Sequence, residues 1–222
     1  GATVRIFYES RLAKIAISDE GRQLIEEFDD EFNEDELTLT QKERSKWARI
    51  EGLIGSSKRI KAIAADMVQH FQQRLKSNAD HGKGMIVSMS RRIAAELYKE
   101  IVALKPEWHS DDLNDGVIKV VMTSSAADGP EIAKHHTTKK ERQVLANRMK
   151  DDDDKLKLVI ERDIWLTGFD APSMHPLYID KPSQGHNLLH AIARVTPVST
   201  DTHGGLAVDH LGIAPAFKEP LS

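Results

Sequence analysis

The chain contains no cysteine. Disulfides, thiolate nucleophiles and cysteine-held zinc are therefore excluded, and the composition fits a reducing cytoplasm. Aromatic residues make up only 5%, too few for the interleaved stacking surface of a single-strand binder. No apolar run reaches the roughly 18 residues that span a bilayer, and no basic stretch leads into an apolar one with a small-residue cleavage site. The reading is a soluble, non-secreted protein with no membrane partner. Neither sign of charge dominates: 31 Lys plus Arg face 35 Asp plus Glu, a net charge of -4, so any contact with DNA must be local. What is present is globular composition, 40% hydrophobic and 30% charged over 222 residues, enough for one large or two small domains. The chain opens on Gly1 without a methionine and stops at Ser222, which suggests a piece of something longer.

A second absence is chemical. A phosphate loop needs G-x-x-x-x-G-K-[ST], because backbone amides cradle phosphate, the lysine reaches its oxygens and the hydroxyl holds magnesium. The single candidate lysine, Lys83, stands between Gly82 and Gly84, with Ser77 in place of the first glycine and Gly84 in place of the hydroxyl. That is a turn. No acidic box of the D-E-x-H type occurs either, so half of an ATPase site is missing.

Charge is unevenly placed along the chain. Residues 19–36 hold ten acidic residues and one Arg, while residues 41–76 hold nine basic and three acidic ones. The simpler reading of this block is a helical insertion with solvated faces; the other is a docking surface for a partner or for DNA phosphates. Before it, residues 3–8 and 12–17 are short β-prone stretches. Within it, Ser56 and Ser57 are candidate N-caps for a helix whose Ile60, Ile63, Ala64, Met67, Phe71 and Leu75 recur every three or four positions, a stripe that reads as core with Met67 filling a gap.

After the loop at residues 78–84, strands and helices alternate. Residues 85–89 (MIVSM) predict a strand, and Ser90 then caps a helix carrying Ile93, Leu97, Ile101 and Leu104, stopped by Pro106. Residues 117–122 (VIKVVM), 156–160 (LKLVI), 177–179 and 206–209 predict further strands, with helices at 138–149 and 186–193. The expected fold class is α/β, a mainly parallel sheet flanked by helices. In such sheets ligands sit beyond the carboxyl ends of the strands.

One such carboxyl end leads into residues 163–172 (DIWLTGFDAP). A hydroxyl, a glycine and a carboxylate stand close together there, either to meet ribose and phosphate or to form a tight turn that Asp170 caps. Further on, Arg194 closes a short helix, where its charge can meet a phosphate or the helix's own carbonyls.

Taken together, residues 85–98 (MIVSMSRRIAAELY), 117–129 (VIKVVMTSSAADG), 156–182 and 190–213 resemble helicase motifs IV, the intermediate TSS element, V and VI. The resemblance is to the motor (R, or HsdR) subunit of type I restriction enzymes, within the superfamily 2 helicases and translocases. It is strongest over residues 82–214. It implies a second RecA-like domain, with strands leading into it at 1–18, the charged helical insertion at 19–80 and the domain itself at 81–222. It further implies that the Walker loop and acidic box lie on a first motor domain upstream, beyond a nuclease domain, and that ATP binds between the two motor domains, with the Mg2+ ligands outside this chain. Hydrolysis then drives translocation on duplex DNA in a prokaryotic cytoplasm, within a complex that includes modification and specificity subunits.

Carried over residue by residue, Thr167, Gly168 and Asp170 become nucleotide and DNA-backbone contacts. Ser90, Arg91, Thr123, Ser124, Ser125 and His190 become candidates on the DNA track. Arg194 becomes the arginine that meets the transferring phosphate. Motif VI departs from the family's Q-x-x-x-R-x-x-R: His190 replaces Gln, and Pro197 stands where the second arginine belongs. The alternatives are another superfamily 2 fragment, or a non-catalytic α/β module that binds a nucleotide or a partner.

Other features read more plainly. His186 and His190 share a helix face but have no third ligand, so no metal site is expected. His135 and His136 fall in a loop, residues 151–155 (DDDDK) form an acidic turn, and Trp108 and Trp165 are packing residues.

Overall fold

The computed structural model describes residues 6–11, 17–26, 40–77, 82–162, 174–182 and 205–211. Six strands lie in one sheet: β1 (Ile6–Ser10), β2 (Lys83–Ser88), β3 (Ile118–Val121), β4 (Leu158–Glu161), β5 (Met174–Asp180) and β6 (Gly205–Asp209). Their order is β1-β6-β5-β2-β4-β3, and every neighbouring pair is parallel. The apolar runs of β2, β3 and β4 are buried along their whole length, as continuous hydrophobic strands covered on both faces must be. The strands fall where the apolar runs predict them. Of the two β-prone stretches at the start, the first is β1, and residues 12–16 lie outside the described part, as does the helix expected at 186–193.

The helices are α1 (Asp19–Glu26), α2 (Gln41–Ile54), α3 (Ser57–Ser77), α4 (Arg91–Leu104), the single turn α5 (Pro130–Ala133) and α6 (Lys139–Lys150). Their starts follow local chemistry. Thr40 with Glu43 and Thr138 with Glu141 close capping boxes on α2 and α6, satisfying amides that have no partner inside the helix. Ser90 accepts the Ile93 amide at 3.2 Å and caps α4. Pro106 opens a short 3-10 turn just after α4 ends, since proline cannot continue the α-helical ladder.

The α3 stripe is core. Ile60, Ile63, Ala64, Met67 and Phe71 are at most 1% exposed and share one apolar cluster with Ile86, Leu97, Tyr178 and Val208. Ile50 and Ile54 of α2 belong to the same cluster, while Lys58 and Lys61 on α3 face solvent. The basic half of the charged block thus keeps most of its charges wet, Arg59 being the buried exception, and closes one face of the sheet with its apolar side. On the other face, Leu145 and Met149 of α6 pack with Met85, Val87 and Val159.

Close approach of α3 to the sheet depends on Gly84. A Cβ there would stand 2.9 Å from Phe71 Cε2 and 3.1 Å from Leu158 Cδ1. Trp108 is buried and meets Phe71 edge to face at 6.2 Å, a packing role. Residues 151–155 form a turn between α6 and β4. In it Asp154 binds Arg148 Nε at 3.0 Å and accepts the Leu156 amide at 2.7 Å. Arg148 in turn donates to the carbonyls of Leu113, Asp115 and Gly116, which fixes the approach to β3.

Candidate functional site

Because all strands run the same way, their carboxyl ends form one rim. Ser88, Glu161, Asp180, Asp209 and His210 stand there, each at most 2% exposed. Buried polar groups are costly unless bonded, and the Asp180, Asp209 and His210 side of this rim is bonded to α3 and β1. Arg59, 1% exposed, reaches Asp180 at 2.5 and 3.2 Å and also donates to the carbonyls of Ile54 and His210. Asp209 accepts the Tyr8 hydroxyl at 2.5 Å and the Leu211 amide at 2.7 Å. Burial, reinforced by that carboxylate, holds the Tyr8 phenol well above its ordinary pKa.

Beside them, Asp66 on α3 takes both arms of Arg11 at 2.7 Å and His210 Nε2 at 3.0 Å. The Arg11 bonds hold its carboxyl far below the usual range. His70 Nδ1 lies 2.7 Å from the Tyr178 hydroxyl. Burial lowers its pKa despite the nearby Glu9 carboxylate. This half of the rim is a brace that ties α3 to β1, β5 and β6.

The other half opens outward. Thr123 and Ser124, just after β3, face solvent, and Ser125 is half-buried. The Thr137 amide and hydroxyl both bond the Met122 carbonyl at 2.9 Å, which fixes the foot of this loop. Below it sits Asp128, with a side chain 5% exposed. Asp128 accepts from Arg91 Nε at 3.1 Å, from the Ser125 amide at 3.1 Å and, at 2.7 Å, pairs with His136 Nε2. Burial works to raise the Asp128 pKa, and the bonds from His136 and Arg91 overcome it, so the carboxyl titrates below its ordinary value.

The candidates from sequence fall into three groups. Thr123, Ser124 and Ser125 stand together at the open rim. Ser90 and Arg91 stand next to them but point inward, 2% and 7% exposed. The Ser90 hydroxyl donates to Glu51 at 2.9 Å, and Glu51 also takes Arg92 Nε at 2.8 Å, so this junction ties α4 to α2. Thr167, Gly168, Asp170, His190 and Arg194 lie outside the described residues, as do His186, Trp165 and Pro197. The chain leaves β4 at Glu161 and β5 at Asp180, on this same rim.

Sequence reasoning passed over Asp128, Glu51, Arg59 and Asp180. For Asp128 a signal exists, since an Asp-Gly pair after a Ser-rich stretch marks a turn. For the others the partners are far apart in sequence and no local pattern marks them.

Lys83 is not placed to meet a ligand. Its ammonium is fully buried and donates to the carbonyls of Arg148, Asp154 and Leu156. Burial lowers its pKa to about 8. Among the described residues no group of three or more His, Asp or Glu is arranged to hold a metal, and these residues do not by themselves fit a magnesium-bound nucleotide. No described helix is long and apolar enough to cross a membrane.

The all-parallel six-stranded sheet covered by helices on both faces is a RecA-like α/β fold. The chain aligns with the C-terminal part of the Fun30 ATPase domain at a TM-score of 0.50 and 12% identity, covering 99% of this chain and 91% of that one, a likeness of fold alone. Residues 80–208 match the family described as type I restriction enzyme subunit R domain 3, and the chain belongs to that family. It is 46% identical to the type I restriction enzyme HindI endonuclease subunit of Haemophilus influenzae, over 98% of this chain and 20% of that protein. It is 38% identical to the putative type I restriction enzyme MjaIXP endonuclease subunit of Methanocaldococcus jannaschii, over 100% of this chain and 20% of that protein. The chain thus spans about a fifth of the length of the curated relatives it matches.

Proposed function

We propose that this chain acts as the second motor domain of a DNA-translocating restriction subunit in a prokaryotic cytoplasm, forming one wall of an ATP cleft and part of a duplex-DNA track. The observation that carries the reading is the coincidence of the family match with the open rim: within residues 80–208, the solvent-facing Thr123 and Ser124 stand at the carboxyl edge. That is where parallel sheets bind ligands. Hydroxyls and backbone amides at such an edge suit phosphate oxygens, which position nucleic acid without reading its sequence.

The same reading assigns Thr167, Gly168 and Asp170 to nucleotide and backbone contacts, His190 to the track and Arg194 to the phosphates across the cleft. The Walker loop, the acidic box and the ligands of Mg2+ would lie on the first motor domain of the intact subunit, next to its nuclease domain. Modification and specificity subunits complete the assembly. Ser90 and Arg91 serve from beneath, through Glu51 and Asp128.

Two measurements test this. The 222-residue chain should turn over no ATP, and turnover in proportion to protein in a contaminant-free sample would defeat the claim. In the intact subunit, Arg194→Ala should abolish DNA-stimulated ATP hydrolysis while leaving the circular-dichroism spectrum intact. Unchanged turnover would make Arg194 structural.

A further inference from the structure

We infer that Asp128 is a positioning residue for the nucleic-acid contact: it holds the loop of Thr123, Ser124 and Ser125 in a preformed shape. This rests on the reading of that loop as part of the DNA track. Three donors from three separate segments converge on one carboxylate. Arg91 comes from the first turn of α4, the Ser125 amide from the loop itself, and His136 from the segment that bridges to Met122 at the end of β3. The loop closes on the same residue a second time, since the Asp128 amide donates to the Ser125 carbonyl at 3.2 Å and the Ala127 amide lies 3.4 Å from the Ser125 hydroxyl.

The consequence is a division of labour. Thr123 and Ser124 are left exposed to meet a ligand, while the charge beneath them is neutralised inside the protein by Arg91 and shared with His136. A loop ordered in advance binds without the entropy cost of fixing its backbone on contact. Arg91 therefore acts as the counter-ion of a positioning carboxylate.

The test measures the affinity of the intact subunit for a short fluorescent DNA duplex by anisotropy, in a double-mutant cycle. One arm is Asp128→Asn. The other is Thr123→Val with Ser124→Ala, two exposed changes that leave the fold alone. Each arm alone should weaken binding by about tenfold, the order expected when a contact or its preorganisation is lost. Combined, they should weaken it by clearly less than the product, because a loop no longer held gains little from its hydroxyls.

Multiplying effects, or full affinity in Asp128→Asn, would overturn the positioning role while leaving the track reading in place. No effect from the Thr123 and Ser124 changes would remove the track reading and the inference together. Should Asp128→Asn fail to fold, His136→Ala is the substitute arm. It removes one partner of Asp128 by truncating the His136 side chain, which is itself 23% exposed, and leaves the Arg91 pair standing. Its loss should be about fivefold and equally coupled, and an uncoupled or absent effect refutes the inference.

Discussion

Arg59→Ala tests whether α3 is bolted to the rim of the sheet by charge. The guanidinium is 1% exposed and makes four bonds: two to Asp180, which is 0% exposed, and one each to the carbonyls of Ile54 and His210. Removing it leaves a carboxylate in the interior with no counter-charge from α3, a situation that costs about 3–5 kcal/mol. Against a total stability on the order of 5–15 kcal/mol, that is about a fifth or more. For a chain of this length each kcal/mol moves Tm by about 2–4 °C, so a fall of roughly 10 °C is expected. Urea unfolding followed by circular dichroism gives the free energy directly. A companion variant, Arg59→Met with Asp180→Leu, removes both charges and fills their volume. It should lie within about 1–2 kcal/mol of the parent, because exchanging a buried pair for packed apolar groups is often neutral. A cost below about 1 kcal/mol for Arg59→Ala would refute the bolt. A companion as unstable as the single variant would place the contribution in the bonds to Ile54 and His210 instead.

Three further outcomes follow from the same geometry. Lys83→Met removes three charge-assisted bonds and strands three carbonyls, so it should lower unfolding free energy by about 2–4 kcal/mol without altering nucleotide binding by the intact subunit; a nucleotide defect in a folded variant would show that the lysine meets phosphate after all. Gly84→Ala should cost about 1–3 kcal/mol through overlap with Phe71, and Phe71→Leu added to it should recover part of that loss, whereas a merely additive double variant would rule out the overlap. The His135 imidazole, whose Nε2 is buried without a partner, is held down to about 4 by burial first and Lys134 second, from an ordinary 6.5. Its folded pKa lies below its unfolded one, so as pH falls below 6.5 the unfolded chain takes the proton first and stability drops toward pH 4. His70, lowered by burial, adds in the same direction. His135→Phe keeps the contact with the Tyr98 ring at 4.8 Å and should flatten the fall in unfolding free energy between pH 6.5 and 4; an equally steep fall in that variant would clear His135 of the effect.

What the amino-acid order determines by itself is local. Alternating apolar runs and helix stripes place β2, β3, β4, α3, α4 and α6 within a residue or two, because side-chain periodicity and capping act over a few positions. The absence of a phosphate loop is equally local, as is the hydroxyl triplet at 123–125. The order of the strands, the side on which α3 packs and the partners of buried charges are decided only in three dimensions. Arg59 meets Asp180 across 121 positions and Asp66 meets His210 across 144, distances over which no pattern in the sequence carries information. The same holds for Ser90 and Arg91. Their motif marks a place beside the open loop of residues 123–125, but which way they face depends on Glu51 from α2 and Asp128 from beyond β3. Both satisfy polar groups that burial would otherwise make costly, and so turn those side chains inward.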